Sequence, residues 1–297
     1  MAGDVARRDS RSMRGWWQEI AGLVLPVDCA GCGRWRSPLC EVCREALDGR
    51  AARPVRPEPE PAGLPPVHAA AVYGGRVRAV LLAHKERGAL GLVGPLGSAL
   101  AGAVRSATRA LRVETAAPGG VRAECVPLRG ARPRAAIAGA GPLLLVPVPS
   151  ARRAVVARGH DPARRIALAA ARALRRSGAD ARVAPLLRQR RAVADQSRLD
   201  ARQRRANVAG ALEVVPGGER WLTAQGPVVP VDDLMTTGAS LAEASRALSW
   251  AGGRVLGAAV VAAPARAFGG EPPGAKRNGM ERRGNGARYS GKAQENT

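Results

Sequence analysis

The stretch Val228 to Ser240, reading Val-Val-Pro-Val-Asp-Asp-Leu-Met-Thr-Thr-Gly-Ala-Ser, restricts the possible folds of this chain more than any other segment. An apolar run, Val228 to Val231, reads as a strand; it meets two adjacent carboxylates, passes a hydroxyl-rich and glycine-containing turn, and opens a helix predicted over Ala239 to Trp250. A strand that feeds a helix through so short a turn is the building unit of a layered α/β fold.

The remainder of the chain repeats that alternation. Strands are expected at His68 to Tyr73, Leu143 to Val148, Ala181 to Leu187 and Val255 to Ala263. Helices are expected at Arg76 to Ala83, Leu90 to Arg112, Arg164 to Arg176 and Ala201 to Ala209, and Gly and Pro at 94–97 should break the second of these. The run Leu143-Leu144-Leu145-Val146-Pro147-Val148 has the continuous apolar character of a strand buried on both faces. Strands alternating with helices imply right-handed crossovers, hence a mostly parallel sheet flanked by helices. Aromatic residues are only 3% of the chain, so the core must be built from Ala, Val and Leu, and platforms for stacking nucleobases are scarce.

Outside this region the organisation changes. Residues 1–15 are polar and arginine-rich, a frayed terminus. Trp16, Trp17, Ile20, Leu23 and Val24 follow helical spacing and lead into a cysteine segment, making a small module over 16–49. Residues 50–66, with prolines at 54, 57, 59, 61, 65 and 66, read as an extended linker to a main domain at 67–265. Within that domain 113–142 reads as a loop insertion and Arg188 to Asp200 as a polar loop, and 269–297 is a glycine-rich, polar tail.

Cys29-x-x-Cys32 and Cys40-x-x-Cys43 are two CxxC pairs seven residues apart. Two such knuckles can close a tetrahedral thiolate site, the geometry of structural Zn2+, and a closed site of this kind holds structure rather than doing chemistry. A redox CxxC or unrelated cysteines are the alternatives. Cys125, in the loop insertion, reads as a surface thiol. The N-terminus carries neither a Sec nor a twin-arginine signal, and no run of about 18 uncharged apolar residues exists to span a bilayer. The expectation is therefore a cytoplasmic protein without membrane insertion, with its cysteines in a reducing compartment.

The net charge of +23 is carried by arginine, which supplies all but Lys85, Lys276 and Lys292 of the 47 basic residues. An arginine-for-lysine bias of this kind follows genomic base composition as well as function, so charge alone does not assign a nucleic-acid partner. Distribution says more: between Ser150 and Arg205 stand 16 arginines and four aspartates, an excess that calls for an anionic partner.

At the Val228 to Ser240 segment, Gly238 lets backbone approach an anion, Thr236, Thr237 and Ser240 offer hydroxyls, and the helix N-terminus at Ala239 supplies N–H groups and a positive dipole end. A monophosphate fits that cup. Asp232 and Asp233 cannot face the same phosphate; at the end of a strand they suit sugar hydroxyls or Mg2+. A sugar carrying a 5′-phosphate answers both demands, and a helix cap with solvated aspartates is the plainer alternative.

Val231 to Ser240 resembles the phosphoribosyl-pyrophosphate (PRPP) binding motif of type I phosphoribosyltransferases, and its combination with the cysteine knuckle resembles the ComF family of bacterial competence-associated proteins. Further segments agree: Leu145 to Pro149 with Arg158-Gly159-His160-Asp161, Asp195-Gln196-Ser197 with Arg204 and Asn207, and Tyr73 with Lys85. The resemblance implies a type I phosphoribosyltransferase fold in which Asp232 and Asp233 meet the ribose hydroxyls of PRPP, and Thr236, Thr237, Gly238, Ala239 and Ser240 bind its 5′-phosphate. It further implies a pyrophosphate loop at Ser150, Ala151, Arg152 and Arg153, and a hood over Arg188 to Asn207 contributing Arg188, Arg190, Gln196, Arg204 and Asn207, with Arg158 beside it. Mg2+ would arrive with PRPP.

Two positions depart from that pattern. Pro230 stands inside the strand, where it removes a ladder hydrogen bond and should leave a bulge or an unpaired position. Thr236 stands where purine-salvage relatives have an aspartate that can serve as general base, which disfavours purine acceptors. Three functions fit these features: a PRPP-binding, ComF-like protein supporting DNA uptake or single-stranded DNA handling, with competence or recombination proteins as partners; an active phosphoribosyltransferase of nucleotide metabolism using a nitrogen acceptor; and a PRPP or nucleotide sensor without catalysis. His160 could donate to phosphate or simply be exposed, and His68 and His84 read as core or surface histidines. Trp16 and Trp17 are expected to pack the cysteine module on the main domain.

Overall fold

A computed structural model of the protein describes residues 28–35, 37–116, 141–191, 207–224 and 226–269. The expectations for Trp16 and Trp17, for nearly all of the 113–142 insertion with Cys125, for Gln196 and Arg204, and for the tail from 270 lie outside the described residues, as does the side chain of Arg152.

A six-stranded sheet runs through the middle of the molecule. Its strands are β1 (Arg53–Val55), β2 (Val67–Val72), β3 (Leu143–Pro147), β4 (Ala181–Val183), β7 (Val228–Leu234) and β8 (Ala258–Ala263), in the spatial order β1-β2-β8-β7-β3-β4. Every pairing is parallel except that of edge strand β1 with β2. A separate two-stranded antiparallel hairpin pairs β5 (Leu187–Gln189) with β6 (Leu212–Val214).

The helices are α1 (Glu41–Glu45), α2 (Gly75–Arg87), α3 (Val93–Ala116), α4 (Arg152–Arg158), α5 (Pro162–Arg176), α6 (Gly218–Ala224) and α7 (Ala239–Trp250). Strand alternation divides the core into two layers. Leu145, Val229, Val231, Ala259 and Val261 face one layer with Val80, Leu96, Leu100 and Ile166 from α2, α3 and α5. Leu144, Val146, Val228, Ala258 and Val260 face the other with Leu222, Leu241 and Leu248 from α6 and α7. The chain is thus an α/β protein whose mostly parallel sheet carries helices on both faces.

Several boundaries differ from the sequence expectation for identifiable reasons. Helix α3 runs unbroken past Gly94 and Pro95 because both fall in its first turn, where the N–H that proline lacks has no intrahelical partner to lose. The apolar run 181–187 divides into β4 and β5, which belong to different sheets. Strand β7 continues through Asp232 and Asp233, whose backbones stay in register with β8, Asp232 opposite Val260.

Pro230 behaves as its chemistry requires. Val228 faces β8, donating to Arg254 and accepting from Leu256, so Pro230 two residues later would have donated toward the same neighbour. The register there changes from Val228 opposite Val255 to Val231 opposite Ala259, which inserts one extra residue on the β8 side beside the proline.

The proline-rich stretch is docked rather than extended into solvent. Arg53–Val55 adds the antiparallel edge strand, Arg56 N–H bonds Ala267 C=O at 2.7 Å, and Ala258 N–H bonds Pro66 C=O at 2.8 Å. The cysteine segment is not a detached module either, since Cys29, Leu39, Cys40, Cys43 and Leu47 belong to the same core layer as α2 and α3. Among the described residues no helix is long and apolar enough to cross a membrane.

Candidate functional site

The four sulfurs of Cys29, Cys32, Cys40 and Cys43 lie within 4.8 Å of one another. Tetrahedral Zn2+ places thiolates about 3.8 Å apart, given Zn–S bonds of about 2.3 Å, so the cluster matches that donor set. The Cys40 N–H points at the Cys29 sulfur at 3.3 Å, and the Cys32 and Cys40 sulfurs are 3.6 Å apart. Burial works against the Cys29 thiolate, but hydrogen bonds from backbone at Cys40, Gly31 and Cys32 outweigh it and lower the thiol to about 6. Cys43 is pushed up by burial and by the three sulfurs around it. Position 31 must be glycine, because a Cβ there would stand 2.7 Å from the Cys43 sulfur and 3.2 Å from Val80 of α2. The cluster is consistent with structural zinc, and it rests directly on the helix that supplies Lys85 to the second site.

That second site is a cavity of about 810 Å³ at the carboxyl ends of β3 and β7. Chain order explains its position: from β3 the next strand lies to one side, and from β7 the next lies to the other, so the crossover connections diverge and leave a crevice between them. Three walls close around it. One is β7 and the turn after it, Asp232 to Leu241; one is the segment after β3, with Ser150, Ala151, Arg153 and Arg158; and one is β2 and α2, with Tyr73, Leu81, Lys85 and Glu86.

The turn after β7 presents an uncapped helix end. Helix α7 starts at Ala239 with Gly238 as its N-cap at φ 74°, and no side chain caps it, so its first-turn N–H groups open toward the cavity with Thr236, Thr237 and Ser240 beside them. Gly238 is required by its left-handed backbone. A Cβ there would also press on Leu64 at 3.0 Å and Pro57 at 3.2 Å, so the proline-rich stretch buttresses the turn from behind.

The carboxylates stand apart from this cup. Asp233 is buried and accepts a 2.9 Å hydrogen bond from Lys85 Nζ, which reaches it from α2. Asp232 accepts the backbone N–H of Asp233 at 2.8 Å, and burial together with the neighbouring Asp233 carboxylate holds its carboxyl well above the usual range. Burial disfavours the Lys85 ammonium, yet Asp233, with Asp232 behind it, more than offsets this and raises it. Asp232 and Asp233 both line the cavity, and Asp233 already holds Lys85, so the pair is not free to serve as a two-carboxylate Mg2+ cage.

The other named residues divide. Ser150, Ala151 and Arg153 line the cavity, although Arg152 and Arg153 belong to the first turn of α4 rather than to a loop. Arg158 also lines it, held by Glu86 at 3.1 Å. Arg188 and Arg190 do not. They share one face of the hairpin and pair across it with Glu213, at 2.9 and 3.2 Å, while Gln189 on the opposite face reaches the cavity. Asn207 stands half-buried near β6, away from the lining.

His160 is buried rather than exposed, and it does not line the cavity. It is buried against His84 with ring centroids 5.8 Å apart, and each Nδ1 pairs with a backbone oxygen, Arg158 for His160 and Ala89 for His84. Sequence reasoning also missed Glu243, a buried carboxylate on α7 that accepts from Arg246 and from the backbone of Leu212 on the hairpin. Its signal was present only as an acid-base pair at helical i,i+3 spacing, which ordinarily marks a solvated face.

A scan of the sequence against protein-family models returns no match, and a search among curated proteins finds no similar sequence.

Proposed function

We propose that the cavity binds a pentose 5-phosphate, with PRPP the specific candidate, in a domain of the type I phosphoribosyltransferase class. The observation that carries this reading is the joint lining of a single cavity by an uncapped helix N-terminus flanked by hydroxyls and, a few residues earlier on the same strand, by Asp232 at its inner end. The phosphate takes the helix end, and the sugar hydroxyls reach Asp232, Asp233 being held by Lys85. Pyrophosphate oxygens at the anomeric carbon lie toward Ser150, Ala151 and Arg153, the wall opposite the cup. Cleavage of that anomeric bond would leave an oxocarbenium-like centre beside the carboxylates, and an incoming nitrogen nucleophile would enter from the wall of Tyr73 and Leu81.

Calorimetric titration of PRPP into the wild type and into Asp232→Asn, with pyrophosphate assayed in the same cell, tests it. Binding by the wild type and weakening in the variant supports the ligand and its seat. Pyrophosphate release on adding an amine or base distinguishes a transferase from a sensor, and absence of binding by the wild type rejects the reading.

The competence-associated role follows from the resemblance and is proposed with it. The excess of arginine between Ser150 and Arg205 supports an additional contact with single-stranded DNA, and retention of labelled oligonucleotide that falls steeply with salt is the expected result.

A further inference from the structure

The carboxylate pair poses an electrostatic problem for any phosphorylated ligand. Two acidic side chains at the inner end of a cavity repel the anion that the helix N-terminus attracts, and a divalent cation is the usual remedy. Here a cation from the protein's own chain stands at that place. Lys85 Nζ is 2.9 Å from Asp233 Oδ2, the Asp233 side chain is 8% exposed, and the lysine side chain, 34% exposed, also lines the cavity. An ammonium has three donors and Asp233 takes one of them, so the others can meet a ligand oxygen. The lysine is anchored on α2, the helix that packs against the cysteine cluster through Val80, so its base is fixed by the core.

We propose that Lys85 is a built-in counter-cation and a positioning residue: it occupies Asp233, leaves Asp232 alone to accept the sugar hydroxyls, and lets a pentose 5-phosphate bind without a divalent metal. This rests on the reading of the cavity given above. Metal can still accompany the pyrophosphate of PRPP, but the acid pair does not need it.

The test is calorimetry with ribose 5-phosphate, which lacks the pyrophosphate that would itself carry Mg2+, in EDTA and in Mg2+, for the wild type, Lys85→Met, Lys85→Arg and the double variant Lys85→Met/Asp233→Asn. The wild type is expected to bind equally in both media. Lys85→Met should lose about 10- to 100-fold in EDTA, the scale of one uncompensated carboxylate near an anion, and regain affinity with Mg2+. Lys85→Arg and the double variant should each bind in EDTA more tightly than Lys85→Met does, which loss of packing alone would not produce. Wild-type binding that requires Mg2+, or Lys85→Met binding as tightly as wild type in EDTA, overturns the counter-cation and leaves the pentose phosphate reading standing. Absence of wild-type binding in either medium removes both. Should Lys85→Met fail to fold, the wild-type, arginine and double-variant arms still decide.

Discussion

Replacing Glu243 with alanine tests whether the hairpin beside the cavity is held by one buried polar clamp. Glu243 is 5% exposed on α7; its Oε1 accepts the Leu212 N–H at 3.0 Å and Arg246 Nη2 at 2.8 Å, and its Oε2 accepts Arg246 Nε at 2.8 Å. Arg246 Nη2 in turn donates to Leu212 C=O at 3.2 Å, so the pair clasps the β6 backbone from both sides. In Glu243→Ala the Leu212 N–H, in a residue only 2% exposed, loses its partner, and a buried donor left unpaired costs about 1–3 kcal/mol. The arginine, 44% exposed, regains water, so its lost pairing adds only about 0.5–1 kcal/mol. The expected loss is therefore about 1.5–4 kcal/mol, measured as a shift in urea midpoint at neutral pH with an unchanged m-value. Burial raises the Glu243 carboxyl, but Arg246 and the N–H groups of Leu212 and Gly210 outweigh it and hold the group below its ordinary 4.5. A depressed folded-state value contributes stability that is present above the unfolded value and lost as pH falls through the folded one. The gap between wild type and variant should thus narrow below about pH 4.5. A loss under about 1 kcal/mol, or a gap that does not change with pH, would refute the clamp.

Other perturbations have equally direct readouts. Gly31→Ala forces a Cβ against the Cys43 sulfur, and Cys29→Ser removes one of the four donors, so each variant should retain less zinc than the wild type, measured as metal per chain after exhaustive dialysis. Gly238→Ala places a side chain at φ 74° against Leu64 and Pro57, at about 1–3 kcal/mol of strain, and should weaken ribose 5-phosphate binding more than it lowers the melting temperature. His84 is held below its ordinary value of 6.5 chiefly by burial, so the unfolded chain takes up a proton that the folded one refuses. Stability should accordingly rise with pH through the window below 6.5, and His84→Phe should flatten thermal melts across it; an unaltered slope would show that His84 does not titrate there.

The strand ends and the cup were legible because their signals are local. An apolar run, a carboxylate pair and a glycine turn before a helix state their own geometry, and Gly238 with α7 stands where that grammar puts it. What escaped depends on partners far along the chain. Pro54 looks like linker chemistry until β2 offers an open edge, where a strand needs few donors and tolerates proline. Arg188 and Arg190 are indistinguishable by composition from phosphate ligands, and only the period of two in a paired strand turns them toward Glu213 and Gln189 toward the cavity. His160 is drawn inward by His84, contributed by a helix more than seventy residues earlier. Lys85 shows the same dependence most plainly. The sequence marks it only as part of the resemblance, together with Tyr73, and says nothing of its partner, yet a contact across 148 residues makes it the cation of the acid pair. Motifs in such a fold announce the groups that meet a ligand, whereas the groups that set those groups' charge come from neighbouring elements and become visible only when the sheet brings them together.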